Sequence, residues 1–389
     1  MMRIHRHFHS SSRGSRAAGR LGALLWIAFV FSALRVQAGS LDAVKTVFLI
    51  VFENHNWDTI KDKTKCPYIN LTVLPQAAHA ERYYTPTNNH PSEPNYLWLV
   101  AGTNFGIHND SPPSVNGLDT TNHLAFQLDQ AGVSWRTYQE DISGLDCPVV
   151  SAGQYAVRHN PFMFFRNITT RFTYCTNHVR PFGELFDDLA SGTVARFNFL
   201  VPNLTNDMHN ASPGSPSTRT QGDNWLKRIL PPILDSAAYH DHGAVFITWD
   251  EGNESSDPAL SDDGPIGLIL VSPLGKSGGY QNEIFYTHSS TLRTLQTIFG
   301  VRPFLADAAN ATDLADLFSD PQLTGRFEPG TGFFVLQAEN LVAKRRHIVE
   351  ASGDLSKWTD VVTNTPTGTA FSATVPLTAG PRYFRVRER

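Results

Sequence analysis

Four apolar runs, each ending in polar residues, constrain this chain more than any other feature of its sequence. Val44 to Phe52 (VKTVFLIVF) leads into Glu53 and Asn54. Phe197 to Val201 (FNFLV) leads into Pro202 and then Asn206, Asp207 and His209; Ala244 to Trp249 (AVFITW) leads into Asp250 and Glu251; Ile266 to Val271 (IGLILV) leads into Ser272 and Pro273. Short runs of this composition suit strands buried on both faces, as in the interior of a parallel sheet. Between them, Asn122 to Ala131, Asp223 to Leu230 and Ser289 to Phe299 carry helical patterns, the second stopped by Pro231 and Pro232 and the third by Gly300. Strands alternating with helices predict an α/β sandwich with a largely parallel central sheet. Ligands of such sheets bind beyond the carboxyl ends of the strands, where these acids and histidines fall.

Both ends of the chain follow a different grammar. The first 38 residues hold six arginines and no acid around the apolar run Leu21 to Leu34, with Val36 and Ala38 as small residues before a cleavage site. That is the layout of a signal peptide, and its apolar run is short of the roughly 20 residues a spanning helix needs. The expected mature protein begins near Gly39, is secreted or periplasmic, and has no stable membrane insertion. After about Gly330 come short stretches rich in β-branched and aromatic residues, such as Phe333 to Leu336, Trp358 to Val362 and Tyr383 to Val386. The expected division is therefore a signal peptide at 1–38, a catalytic domain at 39–325 and a small all-β module at 330–389. The module offers no catalytic grouping, and attachment to a surface is the one use suggested for it.

Charge excludes one class of partner. Removing the six leader arginines from 32 Lys+Arg leaves 26 basic against 36 acidic residues, a net of −10. Nucleic acid needs a basic face, so it is not an expected partner. Export permits disulfides, and of the three cysteines Cys147 and Cys175 form the expected bridge, leaving Cys66 unpaired.

Chemistry concentrates in a few places. In TPTNNHPSEPNYLWLVAG (Thr85 to Gly102), Ser92 lies between two prolines just ahead of a helical stretch, where free backbone N–H groups favour a phosphate. A serine hydroxyl is a poor nucleophile unless a base or a metal activates it, and a turn that merely caps a helix would use the same residues. Asp250 and Glu251 set two carboxylates side by side after a buried strand, which calls for a cation or for hydrogen-bond donors; a solvated acidic turn is the plainer alternative. Glu53 with Asn54, and Asp207 with His209, follow other strands in the same manner. His288 opens a helix and has either a ligand's role or a cap's. Metal sites assembled from dispersed oxygen and nitrogen ligands show no compact spacing.

Taken together, Glu53 to Asp58 (EN followed by WD), HPSEPNYL at His90 to Leu97, WDEG at Trp249 to Gly252 and YTHSS at Tyr286 to Ser290 resemble the phosphoesterase family of secreted bacterial acid phosphatases and non-haemolytic phospholipases C, within the alkaline-phosphatase superfamily. WRTYQE (Trp135 to Glu140), His159-Asn160-Pro161 and PNLTNDMHN (Pro202 to Asn210) look closest to its phosphomonoesterase branch. The resemblance implies an alkaline-phosphatase-like three-layer sandwich, with Ser92 as nucleophile and a phosphoserine intermediate. It implies that Asn95 bonds a phosphoryl oxygen, that Asn54 lies beside metal or phosphate, that Glu53, Asp250 and Glu251 hold a metal, and that Asp207, His209 and His288 supply a second site. One or two divalent cations are expected, and an oxygen-rich set favours a harder ion than zinc. His90 and His159 are candidates for binding phosphate or protonating the leaving group. The substrate is then a phosphate ester, a small molecule or a lipid phosphate, with a phospholipase-type diesterase as the alternative branch.

Two rival readings come from other classes. Gly275-Lys276-Ser277-Gly278-Gly279 satisfies the G-x-S-x-G pattern of a serine esterase, but no helix start follows it. A catalytically silent, surface-binding sandwich would have no need to keep ionisable groups at so many strand ends.

Overall fold

The computed structural model describes residues 40–388 apart from 216, 253–263, 277, 320–321, 329–332, 340, 342–345, 369 and 377–382. The expected signal peptide and the esterase candidate Ser277 lie outside the described residues. No helix among those described is long and apolar enough to cross a membrane.

An eight-stranded sheet forms the centre. Its strands are β1 (Thr46–Phe52), β2 (Ala78–Ala80), β3 (Trp135–Gln139), β4 (Val179–Pro181), β5 (Phe197–Val201), β6 (Gly243–Trp249), β7 (Leu268–Val271) and β8 (Tyr280–Asn282), in the order β4-β3-β5-β1-β6-β7-β2-β8. The block from β4 to β6 is parallel. Every residue of β5 and β6 is buried, and so is all of β1 beyond Thr46, which is why these segments read as continuous apolar runs. Register does the rest: Phe52 faces Trp249 across β1 and β6, and Gln139 faces Val201 across β3 and β5. The residues that follow β1, β3, β5 and β6 therefore emerge at one edge.

The fourth apolar run departs from that pattern. β7 runs antiparallel to β6, so Ser272 falls at the opposite edge, where its hydroxyl donates to the Gly243 carbonyl at 2.8 Å. An apolar run carries no record of strand direction, so its polar exit does not mark the site.

The helices expected from the sequence are present, with one correction and one addition, Phe172–His178. α1 covers Ser92–Ala101, α2 Leu124–Gln130, α3 Phe172–His178, α4 Thr218–Leu234 and α5 His288–Ile298. α4 starts at its Ser217 cap and passes through Pro231 and Pro232, where the sequence predicted a stop. Both prolines are exposed, and so are Lys227 and Arg228, whose carbonyls lose their i+4 donors and are left to solvent. Buried Ile229, Leu230 and Ile233 hold the last turn against the core.

Cys147 and Cys175 are joined across 28 residues, tying the loop after β3 to α3, and Cys66 is buried and free. Beyond the sandwich, strands Gln322–Glu328, Phe333–Glu339 and Phe371–Pro376 form one antiparallel sheet and Thr359–Asn364, His347–Ser352 and Tyr383–Glu388 another. Leu336, Val349 and Val375 centre an apolar cluster of their own there.

Candidate active site

Ser92 is the first residue of α1 and is buried, 2% exposed. Its hydroxyl donates to Oε2 of Glu53 at 3.0 Å and also faces the Asp250 carboxylate. Glu53 leaves β1 with its N–H on the Asp207 carbonyl, and Asp250 leaves β6 with its N–H on the Phe52 carbonyl. Sheet register thus brings acids from three strands to the head of one helix. Glu53, Asp207, Asp250 and Glu251 are all fully buried. Burial, and then the neighbouring carboxylates Asp250 and Asp207, push Glu53 well above the usual carboxylate range; Asp250 is raised by burial and by Glu251, and Asp207 by burial.

Two further devices hold the Asp207 turn. Met208 takes a positive φ of 83°, and a Cβ on Gly222 of α4 would lie 2.4 Å from its side chain, so only glycine lets the helix approach. Glu140, delivered by β3, accepts the Asn203 N–H at 3.0 Å and the Trp225 indole N–H at 2.8 Å. The Trp135 to Glu140 motif therefore supports the site without entering it.

His159 lies among the acids. Its Nε2 is 3.4 Å from Glu53 Oε1 and its Nδ1 is 3.3 Å from Asp207 Oδ2, while its ring stacks on Tyr96 at 5.0 Å. Burial, reinforced by Arg158 and His209, holds the ring neutral. Ligand atoms of Glu53, His159 and Asp207 all lie within 4.8 Å of one another. A divalent cation fits this grouping on two grounds. Four buried carboxylates repel without a counter-charge, and Asp250 Oδ2, Asp207 Oδ2 and Asn54 Oδ1 are buried acceptors with no hydrogen bond among the described residues. Carboxylates with a neutral imidazole suit a hard or borderline ion.

The remaining candidates fall around this centre. Asn54, in a left-handed conformation, gives its N–H to Asp250 Oδ1 at 3.1 Å. Glu251 Oε2 receives the Asn95 amide and His90 Nδ1, both at 2.8 Å. Asn95 is otherwise spent on Asn89 and Thr85, so its carboxamide braces the turn before α1 and does not reach outward. His90 is 27% exposed and stands at the mouth. His209 turns its Nε2 to Arg158 at 3.3 Å, and His288 bonds the Asp250 carbonyl. The structure thus gathers Ser92, Glu53, Asp207, Asp250 and His159, with Asn54, Glu251 and His90 against them, and sets Asn95, His209 and His288 one layer back.

Three residues join the site that the sequence reading left out. Tyr96 donates to Glu53 Oε1 at 2.6 Å, Asp110 accepts the Glu93 N–H at 2.9 Å, and Arg158 lies 3.4 Å from Asp110. Tyr96 follows Ser92 by four positions and so shares its helix face, a signal the sequence does carry. Asp110 sits in a loop and Arg158 in the single 3₁₀ turn Val157–His159, neither long enough to show periodicity.

The sequence profile of the Phosphoesterase family matches residues 62–302, more than half of the chain. The chain belongs to the Phosphoesterase family. The matched span begins after Glu53 and Asn54, so their place in this phosphoesterase rests on the geometry above. It is 30% identical to a phosphatidylinositol-3-phosphatase of Mycobacterium tuberculosis over 79% of its own length and 95% of that protein. With a phosphate-repressible acid phosphatase of Penicillium chrysogenum it shares 29% identity over 55% of its length and spans half of that enzyme. A non-hemolytic phospholipase C of Burkholderia pseudomallei is 26% identical over 48% of the chain and 33% of that protein. An alkaline-phosphatase-superfamily structure from Vibrio parahaemolyticus superposes with a TM-score of 0.50 at 9% identity, covering 88% of this chain and 84% of that one, which shows the shared fold.

Proposed function

We propose that this phosphoesterase is an exported, metal-dependent phosphomonoesterase that works through a phosphoserine at Ser92. The observation that carries the reading is the Ser92 hydroxyl on Glu53 at 3.0 Å, inside a cluster of four buried carboxylates. Similarity to acid phosphatases supports the monoester branch, and similarity to a phosphatidylinositol phosphatase keeps lipid monoesters among the substrates. Glu53, Asp207 and His159, with Asp250 and Glu251 beside them, would hold the cation. Such an ion offsets the carboxylates, lowers the serine pKa and stabilises charge on the phosphoryl oxygens.

The chain's own groups divide the remaining work. Glu53 accepts the Ser92 hydroxyl hydrogen and is itself held by Tyr96, so the serine lone pairs face the substrate. Arg158 offers its outer N–H groups to the phosphoryl oxygens. As Ser92 Oγ bonds phosphorus its proton passes to Glu53 and the ester oxygen departs with a proton from His90; in the second step His90 takes a proton from the water that attacks phosphorus, and Glu53 returns its proton to the departing Ser92 oxygen. Export through residues 1–38 and a surface-attaching module at 330–389 belong to the same reading. Hydrolysis of p-nitrophenyl phosphate and bis-p-nitrophenyl phosphate by protein from residue 39 onward, before and after chelation and single-metal readdition, tests it. Metal-restored monoester activity is expected. Preference for the diester would move the enzyme to the phospholipase C branch, and activity indifferent to chelation would contradict the metal.

A further inference from the structure

Both ring nitrogens of His288, an expected metal ligand, are engaged by protein. Nε2 lies 2.6 Å from the Asp250 carbonyl oxygen, which has no hydrogen to give, so Nε2 carries the proton. Nδ1 is then the acceptor, 3.1 Å from the Tyr83 hydroxyl. That hydroxyl is also 2.7 Å from Thr291 Oγ1, and with its one hydrogen committed to Nδ1 it accepts from the threonine. Tyr83, His288, Thr291 and Asp250 are all fully buried.

We infer that His288 is a positioning residue: a directional chain from Thr291 through Tyr83 and His288 fixes the peptide between Asp250 and Glu251, and with it both carboxylates. The inference rests on reading those two acids as part of the active site. The fold builds the chain from a short parallel pairing, Tyr83–Tyr84 with Tyr286–Thr287, in which Tyr83 is opposite Tyr286. His288 follows as the first residue of α5, held by a Thr287/Ser290 capping box, and its ring meets Tyr83 edge-on at 5.7 Å. On its other side Asp250 is held by its own N–H on Phe52 and by the Asn54 N–H on its carboxylate. His288 supplies the third restraint. Removing it frees a peptide rotation that swings two adjacent carboxylates, and misplacement of about 1 Å in an active site costs on the order of 100-fold in rate.

The test is a double-mutant cycle of Tyr83→Phe and His288→Gln with p-nitrophenyl phosphate. It is read beside bound metal counted by native mass spectrometry after incubation with Mn²⁺, Zn²⁺ or Ca²⁺ in turn, and beside histidine tautomers from ¹⁵N NMR. Glutamine keeps a donor for the Asp250 carbonyl and needs no hydrogen from Tyr83. Tyr83→Phe is expected to lower kcat about 10-fold at unchanged KM, His288→Gln to stay within about 5-fold of wild type, and the double variant to be no worse than His288→Gln. Metal content is expected to stay the same throughout. Loss of a bound ion in His288→Gln, or effects that multiply in the double variant, would overturn the inference. If the wild type hydrolyses no phosphate ester, the proposed function fails, and the tautomer still decides: an Nε2–H ring at His288 supports the chain and an Nδ1–H ring overturns it.

Discussion

Ser92 Oγ and Glu53 Oε2 meet at 3.0 Å although 39 positions separate them in the sequence. Parallel pairing of β1 with β5 and β6 gathers the other acids around that contact, at a cost to the fold in electrostatic repulsion. Glu53→Gln keeps the shape and removes one charge. It is expected to lower kcat roughly 10³-fold, a loss of several kcal/mol of transition-state stabilisation. In metal-free protein the same change is expected to raise unfolding stability by about 1–3 kcal/mol. Steady-state kinetics and urea unfolding in chelator measure the two effects.

Metal and stability are linked through the same cluster. A cation that binds only the folded chain stabilises it by about 2.7 kcal/mol at a hundredfold excess over Kd. The wild type is therefore expected to show a melting temperature that rises with metal concentration, and Glu53→Gln a smaller rise, by differential scanning calorimetry.

Arg158 lies 3.4 Å from Asp110 through Nε and 3.3 Å from His209 Nε2 through Nη2, at the edge of the acid cluster. A hydrogen bond to a charged partner is worth about 1.5–3 kcal/mol net, so Arg158→Ala is expected to lower kcat/KM for p-nitrophenyl phosphate roughly 10- to 100-fold. Inhibition by inorganic phosphate is expected to weaken in parallel.

His123 gives a pH dependence away from the chemistry. It caps α2 through Nδ1, which accepts the Phe126 N–H, and it lies 3.1 Å from Asn167 through Nε2; burial brings it down from 6.5 to about 4. A histidine depressed in the folded state leaves the unfolded chain binding more protons between those values, so stability falls as pH drops from 6.5 to 4. For one such group the loss from pH 7 to pH 5 is about 2 kcal/mol. His123→Asn, which keeps a capping side chain, is expected to lose that much less in urea unfolding at the two pH values.

The thiols should report burial directly. Burial, and then Asp223, push Cys66 up to about 12, and its side chain is inaccessible. A thiol reagent at pH 8 is expected to label no cysteine in the native protein, one in denaturant, and three once reductant is added.

The sandwich and much of its centre were legible because buried parallel strands leave apolar runs and register carries the next residues to one edge. Glu53, Asp207 and Asp250 fall at that edge in this way, whereas Ser92 stood out through its proline-flanked turn ahead of α1. Direction was not legible, so Ser272 lies at the wrong edge. Nor was helix continuation through Pro231 and Pro232, which tertiary burial of Ile233 decides. The family resemblance implied outward roles for Asn95, His209 and His288, whose hydrogen bonds run to Asn89, Arg158 and the Asp250 carbonyl. Those orientations depend on partners scores of residues away or in loops, which local spacing does not encode.

The central claim is that Ser92 carries the phosphoryl group. Acid quench of the enzyme turning over p-nitrophenyl phosphate, followed by intact mass and peptide mapping, tests it most directly. The account predicts a phosphorylated fraction confined to the peptide containing Ser92 and absent from Ser92→Ala, which is also inactive. A phosphoryl group on another residue, or turnover retained in Ser92→Ala, would contradict it.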